Sequence, residues 1–180
     1  MARYTIEESP FSHFFVADTR SSVLWLILRV YLGWIWLEAG WGKFNNPAWV
    51  GDNAGAAMAG FVKGALAKTT GAHPDVQGWY AAFLENAVLP YTEQWGYLIT
   101  AGEILVGLAL ILGFFVGLSA FFGVVMNMNF MLAGAVSINP IMAMAAVGLI
   151  LAWRVAGYYG LDYYALPLLH RYIRPRYSHT

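Results

Sequence analysis

The chain contains no cysteine, which excludes disulfides, iron–sulfur clusters, thiolate metal sites and thiol redox chemistry from its 180 residues. Charge is scarce. Only 11% of the residues are charged, where a soluble domain carries about a quarter. Ten basic and ten acidic side chains cancel, and the basic ones form no face for nucleic acid. No HExxH, CxxC or Walker loop occurs, nor a Rossmann glycine pattern after a strand. Any redox work therefore has to pass through a bound organic molecule or a partner.

What is plentiful is apolar. The chain is 59% hydrophobic, with a mean hydropathy of +0.55. That leaves too few polar residues to cover a water-facing surface, so a lipid bilayer is the expected surrounding. Eight tryptophans and eleven tyrosines suit two aromatic belts at the membrane interfaces. The pattern predicts an all-α integral membrane domain with four spans, at about 22–44, 95–113, 117–136 and 140–158. A single helix from Leu98 to Val136 would rise roughly 58 Å, almost twice the hydrocarbon core, so the chain must fold back. GFFVGLSA (113–120) is the expected turn; its Gly113 and Gly117 also form a GxxxG that can bring helices close. Pro140 can open the fourth span, with Asn139 as its cap. Glu7, Glu8 and Asp18 precede the first run, which reads as a retained anchor rather than a cleaved signal.

Arg3 and Arg20 flank the start, and Arg171, Arg174 and Arg176 close the chain, so both termini are predicted to be cytoplasmic, in the plasma membrane. The long 45–94 loop would then face outward as a helical cap. One helix is expected to start at Asp52 or Asn53 and stop near Gly71, and another to end at Pro90. Trp79, Tyr80 and Phe83 could lie on the membrane surface. An ordinary structured loop is the alternative. The tail YYALPLLHRYIRPR reads as an interfacial segment. His13, His73, His170 and His179 all fall outside the spans, which argues against a buried bis-His haem, and no metal is expected.

RVYLGWIWLEAGWGKF (29–44) places three charges inside an apolar run. At about 100° per residue, Arg29, Gly33, Trp36, Gly40 and Lys43 share one face, and Tyr31, Trp34, Glu38 and Trp41 the opposite one. Arg29 and Glu38 sit about 13 Å apart along the axis and cannot pair. An ionised group at a helix centre costs about 2.5–3.5 kcal/mol on insertion scales, so these side chains are expected to turn inward and find partners on other spans. Glu103, Asn127, Asn129 and Arg154 are the candidates. Glu38 and Glu103 lie in the same half of the membrane, and a pair of carboxylates there can carry a proton, which makes them the candidate catalytic residues. A polar network that only fixes helix packing is the alternative. Tyr31, Trp34 and Trp41 could wall a flat ring, or serve as packing and belt residues. Arg29, Lys43 or Arg154 could attract an anionic donor, although Arg29 and Arg154 lie in the other half of the membrane. Asn127 and Asn129 point about 200° apart, so at most one addresses a shared site; cross-helix hydrogen bonding is the plainer role.

LRVYLGWIWLEAGWGKF, GEILVGLALILG and NFMLAGAVSINP resemble the DoxX/DoxD-like membrane proteins, from about Leu28 to Leu166. Arg29, Gly33, Gly40, Lys43 and Glu103 match the family pattern. The resemblance implies a four-helix membrane bundle. The DoxD branch is similar to the membrane subunit of thiosulfate:quinone oxidoreductase, which couples two thiosulfates into tetrathionate and passes two electrons to a quinone. It implies a quinone acceptor, a second DoxA-like subunit and a homo- or hetero-oligomer, and it supplies no agreed catalytic residues. Two other classes stay open. A small transporter or ion-conducting protein would suit charges in the membrane, though no inverted repeat is visible. A non-catalytic scaffold for a redox complex would suit the missing redox ligands.

Overall fold

Ser9 opens the first described helix. Its hydroxyl accepts from the Ser12 N–H at 3.2 Å, and Pro10 follows in the first turn, where a missing N–H costs nothing. The computed structural model describes residues 9–173, with side chains through Leu169. Arg3, Arg174, Arg176 and His179, and the side chains of His170 and Arg171, lie outside the described residues. Among the described residues every regular element is helical: α1 (Pro10–Ala17), α2 (Ser22–Phe44), α3 (Ala56–Leu66), α4 (Gly78–Phe83), α5 (Thr92–Leu112), α6 (Val116–Leu132), α7 (Asn139–Leu151), α8 (Trp153–Ala156) and α9 (Asp162–Ile173).

Two helical runs, Thr19–Phe44 and Gly78–Leu112, are long and apolar enough to cross a membrane. The predicted first span coincides with α2. The third and fourth are shorter than predicted. The α6 helix has 17 residues and stops where Gly134 turns the chain with φ +71°. The α7 helix has 13 residues and breaks at Ala152 before α8.

The central packing is α2 against α5. Gly33, Gly40 and Gly107 form the seam. A methyl group on Gly107 would fall 2.6 Å from the Leu37 N atom, and one on Gly40 would fall 2.8 Å from the Ile104 N atom. The pairing of 33 with 107 and 40 with 104 makes the two helices antiparallel. Leu32, Trp36, Leu110, Val116, Ala146 and Leu149 fill the core shared with α6 and α7. A second core lies around α3 and α4, built from Met58, Val62, Val76, Tyr80, Leu84 and Val88. The 45–91 segment is thus packed structure with its own apolar interior.

Local expectations fared unevenly. The GFFVGLSA turn is present, with Gly113 at φ +66° ending α5. Pro90 does not end the second loop helix. The run continues into α5 through a π turn at Leu84–Val88, whose wider ring lets the Leu89 N–H reach the Leu84 carbonyl, and a 3-10 turn at Leu89–Tyr91. That local geometry accommodates a ring that would clash in a regular α-helix. Neither Asp52 nor Asn53 caps α3. Its N-cap is Gly55 at φ +89°, where any Cβ would meet the Glu93 backbone at 2.7 Å. Asn139 does not cap α7 but bonds the Ala135 carbonyl from inside the first turn. Tyr80 is buried within the second core rather than lying on a surface, while Trp79 is exposed.

Candidate functional site

Lys43 stands in the last turn of α2 and Glu103 in the middle of α5, and the glycine seam sets their helices close enough to meet. The Lys43 Nζ donates to both Glu103 oxygens, at 2.9 Å to Oε1 and 2.7 Å to Oε2. Glu103 is 1% exposed and the Lys43 side chain 19%, so the carboxylate is inside and the ammonium at the rim. The Trp49 ring centroid lies 5.2 Å from Nζ, a cation–π contact that closes the pair from the side of the 45–91 segment. The two are held together by a pair of hydrogen bonds, the arrangement in which a buried carboxyl group is tolerable.

Arg29, also on α2, reaches the C-terminal end of α5. Its Nη1 donates to the carbonyls of Leu110 (2.6 Å) and Ile111 (2.9 Å), and its Nη2 donates to the Tyr159 carbonyl (2.7 Å). The first two belong to the last turn of α5, where the Leu110 carbonyl otherwise takes only a long bond from the Gly113 N–H (3.3 Å) and the helix dipole is negative. Gly113 leaves room for the guanidinium; a methyl there would fall 2.6 Å from Nη1. Asp162 performs the complementary task on α6. Its carboxylate accepts from the Phe115 N–H at 2.6 Å and the Val116 N–H at 2.9 Å, the first free donors of that helix. Burial pushes the Asp162 carboxyl up from its ordinary range, while those two donors and the charge of Arg29 pull it down.

The face assignment on α2 holds. Arg29, Gly33, Trp36 and Gly40 are buried, and Tyr31, Trp34, Glu38 and Trp41 are exposed. The structure therefore does not join Glu38 to Glu103. The expected convergence of both carboxylates on one chamber is corrected: Glu38 points away from the bundle with the three aromatics, because nine residues from Arg29 is half a helical turn out of phase. Asn127 is fully buried, and among the described residues its amide oxygen and nitrogen lack hydrogen-bond partners, as does the nearby indole Nε1 of Trp36. Asn129 goes elsewhere. It donates to the Val125 carbonyl, and its backbone and side-chain oxygens lie 3.0 and 3.1 Å from the Tyr80 hydroxyl. Arg154 is exposed beside the Trp153 ring.

Two cavities flank this arrangement. An apolar groove of about 560 Å³ runs between α5 and α6, bordered by Leu98, Leu105, Ala109, Leu118 and Phe122. A smaller one of about 290 Å³ lies beneath α3 and α4, walled by Phe61, Phe83, Trp95 and Phe130 with Tyr80 and Asn129. Ile99 and Met126 border both.

Sequence reasoning missed Asp162 and Tyr80. An aspartate opening a helix just after Gly160 is a cap signal, but here it caps a helix 46 residues earlier in the chain. Tyr80 carried only the signal of an aromatic in an amphipathic stretch.

No curated protein and no solved structure matches the chain significantly. A family model described as TQO small subunit DoxD matches residues 24–174. That span takes in the α2–α5 seam, Arg29, the Lys43–Glu103 pair and Asp162, and DoxD is the membrane subunit of thiosulfate:quinone oxidoreductase. A match over most of its length settles the kinship: this chain belongs to the DoxD family.

Proposed function

We propose that this chain is the membrane subunit of a quinone-linked oxidoreductase that draws its electrons from thiosulfate. The family match over residues 24–174 carries the reading. In this reading the chain crosses the bilayer four times, through α2, α5, α6 and the α7–α8 pair, with residues 45–91 on the outer side. The 17 residues of α6 rise about 25 Å, and its flanking turns complete the crossing of roughly 30 Å. Two thiosulfates join through a new S–S bond to give tetrathionate. The two electrons released, with two protons, convert one quinone to quinol. Glu103 and Lys43 supply a place to hold a proton, with the carboxylate shielded from water and the ammonium at the rim. Lys43 rather than Arg29 is the cation offered to an anionic donor, since both Arg29 terminal nitrogens are spent on carbonyls.

The test uses the chain co-purified with the product of its genomic neighbour and reconstituted in liposomes with a short-chain quinone. Thiosulfate-dependent quinol formation, one quinol per tetrathionate, is expected. Absence of both quinone binding and thiosulfate-dependent reduction overturns the reading. A scaffold is the second reading, favoured by the purely architectural use of Arg29 and Asp162; under it Glu103→Gln alters complex assembly and leaves turnover unchanged.

A further inference from the structure

The two cavities beside α5 differ in chemistry but meet at Ile99 and Met126. The groove between α5 and α6 is almost wholly apolar and opens along exposed Leu98, Leu105, Leu118 and Phe122. The cavity under α3 and α4 has flat aromatic walls, and its polar groups include the Tyr80 hydroxyl and the Asn129 amide. Among the described residues, neither cavity is lined by a charged side chain. A phosphate headgroup would find no counter-charge there. A neutral flat ring carrying carbonyl oxygens would find aromatic faces to stack on and donors to meet it. Volumes of about 290 and 560 Å³ lie within or near the roughly 300–1,000 Å³ typical of small-molecule sites. Met126 stands at the junction, and its unbranched thioether side chain is the kind that repacks around a ligand.

We propose that this pair of cavities is the quinone site. The ring lies beneath α3 and α4 within reach of Tyr80 and Asn129, and the isoprenoid tail runs out along the α5–α6 groove. The inference rests on the quinone-linked reading above and gives it a location. That location differs from the exposed Tyr31, Trp34 and Trp41 face of α2 which the sequence suggested. The Tyr80 hydroxyl already faces two Asn129 oxygens, so a ring carbonyl would take over its proton or accept the second hydrogen of the Asn129 Nδ2.

The full chain in nanodiscs, labelled with a photoactivatable short-chain quinone, tests the site. Cross-links from the ring are expected in 78–83 or 125–130, and cross-links from the tail in 98–122. Ala109→Trp, which fills the groove, is expected to weaken binding of decyl-ubiquinone about tenfold or more. Tyr80→Phe is expected to weaken it about threefold to tenfold, the value of one hydrogen bond. Ala101→Trp, exposed on α5 outside the groove, controls for added bulk. Cross-links confined to α2, with binding unchanged in Ala109→Trp and Tyr80→Phe, overturn the location and leave the oxidoreductase reading standing. A groove holding phospholipid that the quinone does not displace overturns the location as well. A wild-type chain that binds no quinone anywhere overturns the location, and together with no thiosulfate-dependent reduction by the co-purified complex it overturns both.

Discussion

Two ionisable side chains are buried against α5 at 1% exposure, Arg29 of α2 at its C-terminal end and Glu103 at its middle, and they are accommodated in opposite ways. At the turn toward α6, Arg29 spends its terminal nitrogens on main-chain carbonyls, two of them in the last turn of α5, and Asp162 answers for the free N–H groups of the next helix. That charge is consumed by architecture. Ten residues before Gly113, toward the 45–91 segment, Glu103 meets a single movable ammonium. Its carboxylate keeps spare lone pairs, and its partner reaches the rim. A charge locked onto the backbone can hold helices together but has little left to trade. A charge balanced by a flexible side chain can exchange a proton or a partner.

The sharpest way to break this contrast is at Arg29. Arg29→Met leaves the carbonyls of Leu110, Ile111 and Tyr159 without their donor, and the expected loss of stability is about 3–5 kcal/mol, read by thermal or detergent-induced unfolding. Arg29→Lys should recover only part of it, because one ammonium cannot fork across both segments. A variant as stable as the parent would mean that the guanidinium is not the fastener described. Next comes Glu103→Gln, which keeps shape but not charge. Thiosulfate-dependent quinone reduction is expected to fall about 100-fold, the scale of a lost proton-transfer group. Pairing it with Lys43→Met should restore folding without restoring turnover, whereas a double variant with full activity would remove the pair from the chemistry. The smallest effect is expected at Glu38→Gln. Exposed and away from both clusters, it should change the stability of the isolated chain by no more than about 0.5 kcal/mol, checked in the same unfolding assay.

Much of the framework was readable from residues alone. The helical rotation of 29–44 divided α2 into the faces that the structure displays, and the length of the 98–136 run demanded the turn found at Gly113. The choice of inner face was not readable, since each face carries a charge and aromatics. Only the glycines at 33 and 40, meeting Gly107 and Ile104 across the seam, decide it. Lys43 and Glu103 were each legible as candidates in the spans, but which carboxylate the ammonium meets was not, because that depends on the rotation of α2 set by the seam. Arg29's true partners were not, because backbone carbonyls are present everywhere and leave no mark in a sequence. Asp162 likewise acts on Phe115 and Val116 across a distance along the chain that local patterns do not encode. Pro90 was misread as a stop because the rule for a regular helix ignores the wider turn at Leu84–Val88.

The backbone contact along Gly33, Gly40 and Gly107 has a mechanical consequence. With main chains touching and no side chains between them to act as bearings, α2 and α5 can neither slide nor roll against one another without collision, and they behave as one rigid spar. Any breathing that admits or releases a guest is therefore expected in the walls outside this spar, in α6 or in the α3–α4 segment.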